Sequence, residues 1–185
     1  MPRLSEPALA HGVLGEQPVL KGLRPWQVGD AHAVREAFAD PGVQQWHVLR
    51  IDDDAEAVAW IEQWAGRWAA EKAASWAVVG DDGEVLGQIG LRRIELDEAK
   101  ADLSYWMLPA ARGRGVAGGA VRTLTDWCFG TLGLHRLVIA HSVRNEQSCR
   151  VATKAGFALE GTHRDSMLHA DGWHDAHTHA RLSGD

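Results

Sequence analysis

The residues best suited to chemistry lie in the stretch Leu103–Gly119, LSYWMLPAARGRGVAGG. Its apolar start, Leu103 to Leu108, reads as a strand stopped by Pro109, which has no N–H to give a ladder. Arg112, Gly113, Arg114 and Gly115 follow, and then a helical pattern with Val121, Leu124 and Trp127 on one side. A strand, a glycine-bearing turn and a helix N-terminus together build an anion site. Glycines let the backbone approach closely, the first helical N–H groups lack intrahelical partners, and the macrodipole adds positive charge. Arg112 and Arg114 add two full charges, so a phosphate is the predicted ligand. A Walker A loop is excluded, because Val116-Ala117 stands where Lys and Ser or Thr are needed. A dinucleotide fingerprint is excluded too, for want of its three glycines and later acidic residue.

A second concentration of chemistry is the run of histidines His163, His169, His174, His177 and His179. His177 and His179 share one face of an extended strand. HExxH is absent and no cysteine stands near them in sequence, so no metal is expected and a polar pocket wall or plain surface is predicted. Cys128 and Cys149 fall in helical patterns without metal-like spacing, which suits a reduced, cytoplasmic protein. A net charge of −6 argues against general nucleic-acid binding. No apolar run reaches the length of about 18 residues that a membrane span needs, and the N-terminus lacks a signal-peptide design.

These residues must be positioned by a fold, and 185 residues at 45% hydrophobic content suffice for one domain with a sizeable core. Residues 1–18 read as an extension of low order and 19–185 as the single domain. Val19–Trp26 reads as a first strand. A helix from Gly29-Asp30 ends at Asp40-Pro41-Gly42, and a second runs from Asp52–Asp54 to about Lys72. Its stripe carries Val58, Ile61, Trp64, Ala65 and Trp68; Trp60, Trp64 and Trp68 repeat at i, i+4 and i+8, which marks core packing. Strands are predicted over Ser75–Val79, Val85–Ile94, Leu103–Leu108, His135–His141, Phe157–Arg164 and Trp173–Leu182, with turns at Asp81-Asp82-Gly83 and Ala170-Asp171-Gly172. A helix from Asn145 to Gly156 separates the His135–His141 and Phe157–Arg164 strands, with Asn145 as N-cap and Gly156 as C′ residue. This order is neither alternating βαβ nor all-β, and describes an α+β fold: one mixed sheet with helices on both faces.

Arg112-x-x-Gly115-x-Ala117 resembles the Gln/Arg-x-x-Gly-x-Gly/Ala motif of GNAT-type N-acetyltransferases, whose turn amides hold the pyrophosphate of acetyl-coenzyme A. Asn145 and Ser148, with Gly156-Phe157 closing the helix, resemble a second GNAT motif, and the element order over 19–182 is similar to the family's. Leu23-Arg24-Pro25, Tyr105-Trp106, Gly156–Gly161 and Asp171–Asp175 resemble the ribosomal-protein N-terminal acetyltransferases of RimJ/RimL type.

The resemblance implies a mainly antiparallel sheet of about seven strands, acetyl-coenzyme A as co-substrate without a metal, and a primary amine as acceptor. It places Arg112, Gly113, Arg114, Gly115, Val116 and Ala117 at the pyrophosphate. The amides of Met107 and Leu108 would face the acetyl and pantetheine groups, and Asn145 would hold the pantetheine arm. Ser148 would protonate the leaving thiolate. Trp46, Trp64 and Tyr105 would line the acceptor site, or the tryptophans would bury against a second subunit in a homodimer. Some relatives carry a Glu as general base where Met167 stands here. His169, two residues on and on the same strand face, is the leading candidate base, beside Asp102, Glu95 and Glu160. The acidic excess favours a cationic acceptor. A peptide N-terminus, a small-molecule amine and a non-catalytic acyl-coenzyme A-binding role all remain open at this point.

Overall fold

The computed structural model describes Leu9, Gly12 and residues 14–185. Seven strands form one sheet in the order β1-β2-β3-β4-β5-β7-β6: β1 (Leu23–Pro25), β2 (Ala74–Val79), β3 (Val85–Glu95), β4 (Lys100–Met107), β5 (Arg136–Ser142), β6 (Ala158–His169) and β7 (Gly172–Leu182). Every pairing is antiparallel except β4 with β5. The α+β reading and its mixed, mainly antiparallel sheet are therefore observed.

Three helices cross between β1 and β2: α1 (Ala31–Ala39), α2 (Pro41–Gln44) and α3 (Asp54–Ala69). The expected stop at Asp40-Pro41-Gly42 is a stop and a start. The Asp40 carboxylate caps α2 by accepting from the Val43 amide at 3.0 Å, and Pro41 fills the first helical position, where a missing N–H costs nothing. The first strand is shorter than Val19–Trp26, because Gly22 turns the chain at φ 72 and only Leu23–Pro25 pair with β2. Of the segment expected at low order, residues 1–8, 10, 11 and 13 lie outside the described residues. Leu14 is buried in the core, and the Trp68 and Trp76 indoles donate to the carbonyls of Gly15 and Pro18 at 2.8 and 2.9 Å.

Two apolar clusters sandwich the sheet. Val34, Phe38, Trp60, Trp64 and Trp106 fill the side covered by α1–α3. Val121 and Leu124 of α4 (Val116–Trp127), and Ala152 of α5 (Glu146–Lys154), pack with Leu103, Leu137 and Ile139 on the other. The buried stripe of α3 is Ala57, Trp60, Ile61, Trp64 and Trp68; Ala65 is exposed and Val58 half-buried, so the apolar face lies one position N-terminal of the expected stripe at those two places. Trp68, near the end of α3, joins the second cluster against Trp76 and Trp127.

Candidate active site

β4 and β5 pair only from Lys100–Leu103 to Arg136–Ile139. Beyond that, β4 keeps company with β3 as far as Met107, while β5 stays with β7 as far as Ser142. The two strands diverge, and a cavity of ≈ 210 Å³ opens between them. Leu103, Ser104 and Tyr105 form one wall and Ile139 to Ser142 the other; Asn145 and Ser148 of the α5 turn, Trp46-His47, Met167 and His169 close it.

The divergence also decides which backbone donors are free. In an antiparallel pair, residues alternate between bonding the partner strand and facing away from it. The Leu108 amide donates to the Leu86 carbonyl at 2.9 Å. Leu108 is therefore committed to β3 rather than to a ligand, which corrects the expectation for it. Met107, paired opposite Gly87, is out of phase and faces the gap. Just past β4, Gly113 and Gly115 take φ values of 74 and 79, and a Cβ on either would meet open space. No described side chain caps α4, so among the described residues the amides of Val116, Ala117 and Gly118 lack partners before Gly119 bonds the Gly115 carbonyl at 3.0 Å. This bare, glycine-opened helix end fits a pyrophosphate.

Across the cavity, Asn145 Oδ1 accepts from the Ser148 amide at 3.0 Å, fixing the first turn of α5. That places Ser148 Oγ 2.7 Å from the Tyr105 hydroxyl. Burial pushes the Tyr105 phenol up to about 12, with the Ser148 hydrogen bond opposing in part, so it stays protonated. His47 is pushed down to about 4, by burial first and then by the positive field of Arg92. His169 is also held below the ordinary imidazole value, by burial first and then by His174, with Asp171 and the Trp46 backbone opposing. Its ring lies edge-on to Trp46 at 5.4 Å, and among the described residues neither ring nitrogen has a hydrogen-bond partner of normal geometry, the Trp46 backbone making only a weak approach. Beside it, Asp171 Oδ1 contacts His174 Nε2 at 2.9 Å, and His174 Nδ1 contacts Ser142 Oγ at 2.8 Å.

Residues 22–158 match the acetyltransferase (GNAT) domain family. The chain belongs to that family. Among curated GNAT relatives it is 36% identical over 93 residues to the putative ribosomal N-acetyltransferase YdaF of Bacillus subtilis, across 50% of each chain. It is 32% identical over 99 residues to the ribosomal-protein-serine acetyltransferase of Escherichia coli, across 54% of this chain and 55% of that one. These matches thus span about half the length of the relatives. In fold, the solved RimJ of Mycobacterium smegmatis, in complex with a coenzyme A disulfide, superposes with a TM-score of 0.80 over 88% of this chain and 81% of its own, at 23% identity.

Within this GNAT domain the structure gathers Tyr105, Asn145, Ser148, His169 and Trp46 around one cavity, and the Met107 amide, two residues beyond Tyr105, is turned away from β3. Others fall elsewhere. Trp64 is 3% exposed in the core, with the Arg92 and Arg67 guanidinium groups over its ring, so it lines no acceptor pocket. The Arg112 side chain turns to Asp40 and to the Met107 carbonyl, so its charge braces α2 against the turn instead of standing free beside an anion. Arg114 is exposed and donates to the Ala110 carbonyl at 3.2 Å. Asp102 pairs with Arg93, Glu95 with Lys100 and Glu160 with Arg136, all away from the cavity. His47, His141 and Ser142 went unforeseen, whereas His174 belongs to the histidine run read as a polar pocket wall or plain surface. The Trp46-His47 pair and the polar end of the HRLVIAHS strand are the signals that could have found the first three.

Proposed function

We propose that this protein transfers the acetyl group of acetyl-coenzyme A to an α-amine, with a peptide or protein N-terminus as acceptor. Family membership supports the transfer. One observation carries the acceptor class: no described residue lining the cavity is an aspartate or glutamate, and its three histidines, His47, His141 and His169, are all held below the ordinary imidazole value, by burial first. An ammonium finds no counter-ion there, so the acidic excess of the chain does not translate into a cation site. Alkyl amines hold their proton to about 10.4, but α-amines release it at about 7.7–8.0, which makes the neutral nucleophile about 300-fold more abundant at neutral pH. Ribosomal-protein acetyltransferases stand among the relatives, in keeping with this class.

The chain's groups divide the work. The α4 turn amides take the pyrophosphate, and the Met107 amide donates to the oxyanion of the tetrahedral intermediate. His169, neutral and unpartnered, accepts the amine's proton. Ser148 gives its proton to the leaving thiolate and is backed by the Tyr105 hydroxyl. Two free thiols, Cys128 and Cys149, fit a reducing cytoplasmic setting.

The test is thiol release from acetyl-coenzyme A with N-terminal peptides, free amino acids and alkyl polyamines at neutral pH. Peptides with a free α-amine should give the highest kcat/KM. Faster turnover of polyamines would refute the acceptor class, and tight coenzyme binding without thiol release from any amine would refute the enzyme. The small cavity favours one second reading, an amino-acid-sized acceptor, which the free amino acids distinguish.

A further inference from the structure

Under the first turn of α5 the fold assembles four side chains that the sequence keeps far apart. His141 comes from β5, Cys149 from α5, and His177 and His179 from β7, and one ligand-type atom from each lies within 4.8 Å of all the others. Strand pairing is the reason. His141 stands directly opposite His177, Ile139 stands opposite His179, and α5 crosses over this end of the sheet. The Cys149 thiol sits 3.9 Å from His179 Nε2, and the His141 and His179 rings stack at 5.1 Å.

A polar core would satisfy such groups through hydrogen bonds, because buried donors and acceptors are costly when left unpaired. Here the bonds are made on the outer side, while the inner side has only the long Cys149–His179 contact. His141 Nδ1 meets the Ser142 carbonyl at 2.8 Å, and His179 Nδ1 meets the Phe157 carbonyl at 3.3 Å. A carbonyl only accepts, so both Nδ1 atoms carry the proton and both Nε2 atoms present a lone pair. Metal-binding histidines are oriented by this same kind of outer contact. His141 Nε2 and His177 Nδ1 are buried without any hydrogen-bond partner.

We infer that His141, Cys149, His177 and His179 form a binding site for one divalent cation of the zinc class, which fastens the Ser148 turn of α5 to β5 and β7. One thiolate with three imidazoles is a borderline-soft, four-donor set that suits tetrahedral zinc and disfavours magnesium or calcium. Bonds of about 2.0–2.3 Å place tetrahedral donors about 3.3–3.6 Å apart, so the present cluster closes on an ion by side-chain shifts of about 1 Å. Coordination moves the thiol proton to water as the metal–sulfur bond forms.

The site is tested on tag-free, chelator-treated protein by equilibrium dialysis against zinc and by cobalt(II) titration. One ion per chain is expected, with the intense visible bands of tetrahedral cobalt and a thiolate-to-cobalt charge-transfer band. Cys149→Ser should abolish the charge-transfer band while keeping the circular dichroism of the folded chain. His177→Gln should weaken zinc binding at least about tenfold, the least that loss of even an outer-shell partner costs. Zinc should raise Tm in the parent and not in Cys149→Ser; magnesium should do neither. Substoichiometric binding to folded protein, an octahedral cobalt spectrum, or a charge-transfer band that survives Cys149→Ser would overturn the inference.

Discussion

The proposed leaving-group chain makes its sharpest claim at Tyr105. If Ser148 donates its proton to the thiolate, its oxygen must accept one from behind, and the hydroxyl 2.7 Å away is Tyr105's. The phenol can act as that donor throughout the assay range, because burial holds it protonated up to about 12. Tyr105→Phe keeps the ring in its place and deletes only the oxygen. A neutral hydrogen bond of this kind contributes about 0.5–1.5 kcal/mol, which corresponds to a fall in kcat/KM of about 2- to 13-fold. Ser148→Ala removes the proton donor itself and should cost about 10²–10⁴-fold, the range of positioned proton transfer. The two effects must not add, since without Ser148 the Tyr105 hydroxyl has nothing to polarise. The assay is a double-mutant cycle on thiol release, with Tm followed for all four proteins. The double variant should match Ser148→Ala within experimental error. Full additivity of the two losses would refute the chain, and so would a Tyr105→Phe enzyme with unchanged kcat/KM.

Three more outcomes follow from the same site. The proposed base His169 acts in its neutral form and titrates below the ordinary imidazole value of 6.5, so kcat/KM expressed per neutral amine, because the α-amine itself protonates below about 7.7–8.0, should stay level on acidification past 6.5 and then fall; His169→Gln should lower it and remove that limb, and a limb above 6.5 in that corrected profile would exclude this base. His47 protonates at 6.5 when unfolded but only near 4 when folded. The unfolded state therefore binds more protons between those values, and stability present above 6.5 is lost as pH falls toward 4, by at most about 3 kcal/mol; denaturant unfolding of His47→Gln should show a shallower loss over that window, and an identical slope would count against it. Gly87→Ala would set a Cβ 2.4 Å from the Trp106 carbonyl oxygen and 2.7 Å from Met107 Sδ, so it should cost about 1–3 kcal/mol of stability by overpacking and disturb the Met107 amide, read as a lower Tm together with lower kcat; parental values of both would show that β3 and β4 have room to part.

What could be read from the sequence was what local punctuation encodes. Pro109 ends β4 in practice at Met107, Gly113 and Gly115 take the positive φ their turn requires, and Asn145 caps α5 as its position suggests. The succession of seven strands along the chain followed from the same signals. Pairing across the chain was not legible. Alternation extended β1 back to Val19, whereas Gly22 bends it away. The 3.6 period found the face of Trp64 but not what covers it, and Arg92 and the α1–α3 core fill the place assigned to an acceptor. Arg112 looked like a ligand for phosphate because its partner Asp40 stands seventy-two residues earlier. The histidines of β7 looked unsuited to a metal because Cys149 and His141 reach them only through the β5–β7 pairing and the packing of α5.

The cavity is built by two kinds of element, and on the proposed function they separate its two tasks. The coenzyme side is continuous chain: β4, the glycine turn and α4 follow one another directly and pack on β3 and β5 through Leu103, Val121 and Leu124. An anion held there is held by backbone amides, which tolerate side-chain change so long as the glycines remain. The proposed acceptor side comes from two segments distant in sequence, the Trp46-His47 turn after α2 and the Met167–His174 hairpin, which meet through the Trp46, His169 and His174 rings. Their meeting rests on edge-on aromatic contacts and few hydrogen bonds, so these walls can be remodelled without moving the coenzyme. No wall of the described lining carries a carboxylate, this second one included. An acidic residue introduced at Met167 would change which amines enter without touching the pyrophosphate turn, and acceptor choice in this fold is therefore a local decision of the β6–β7 hairpin and the α2 turn.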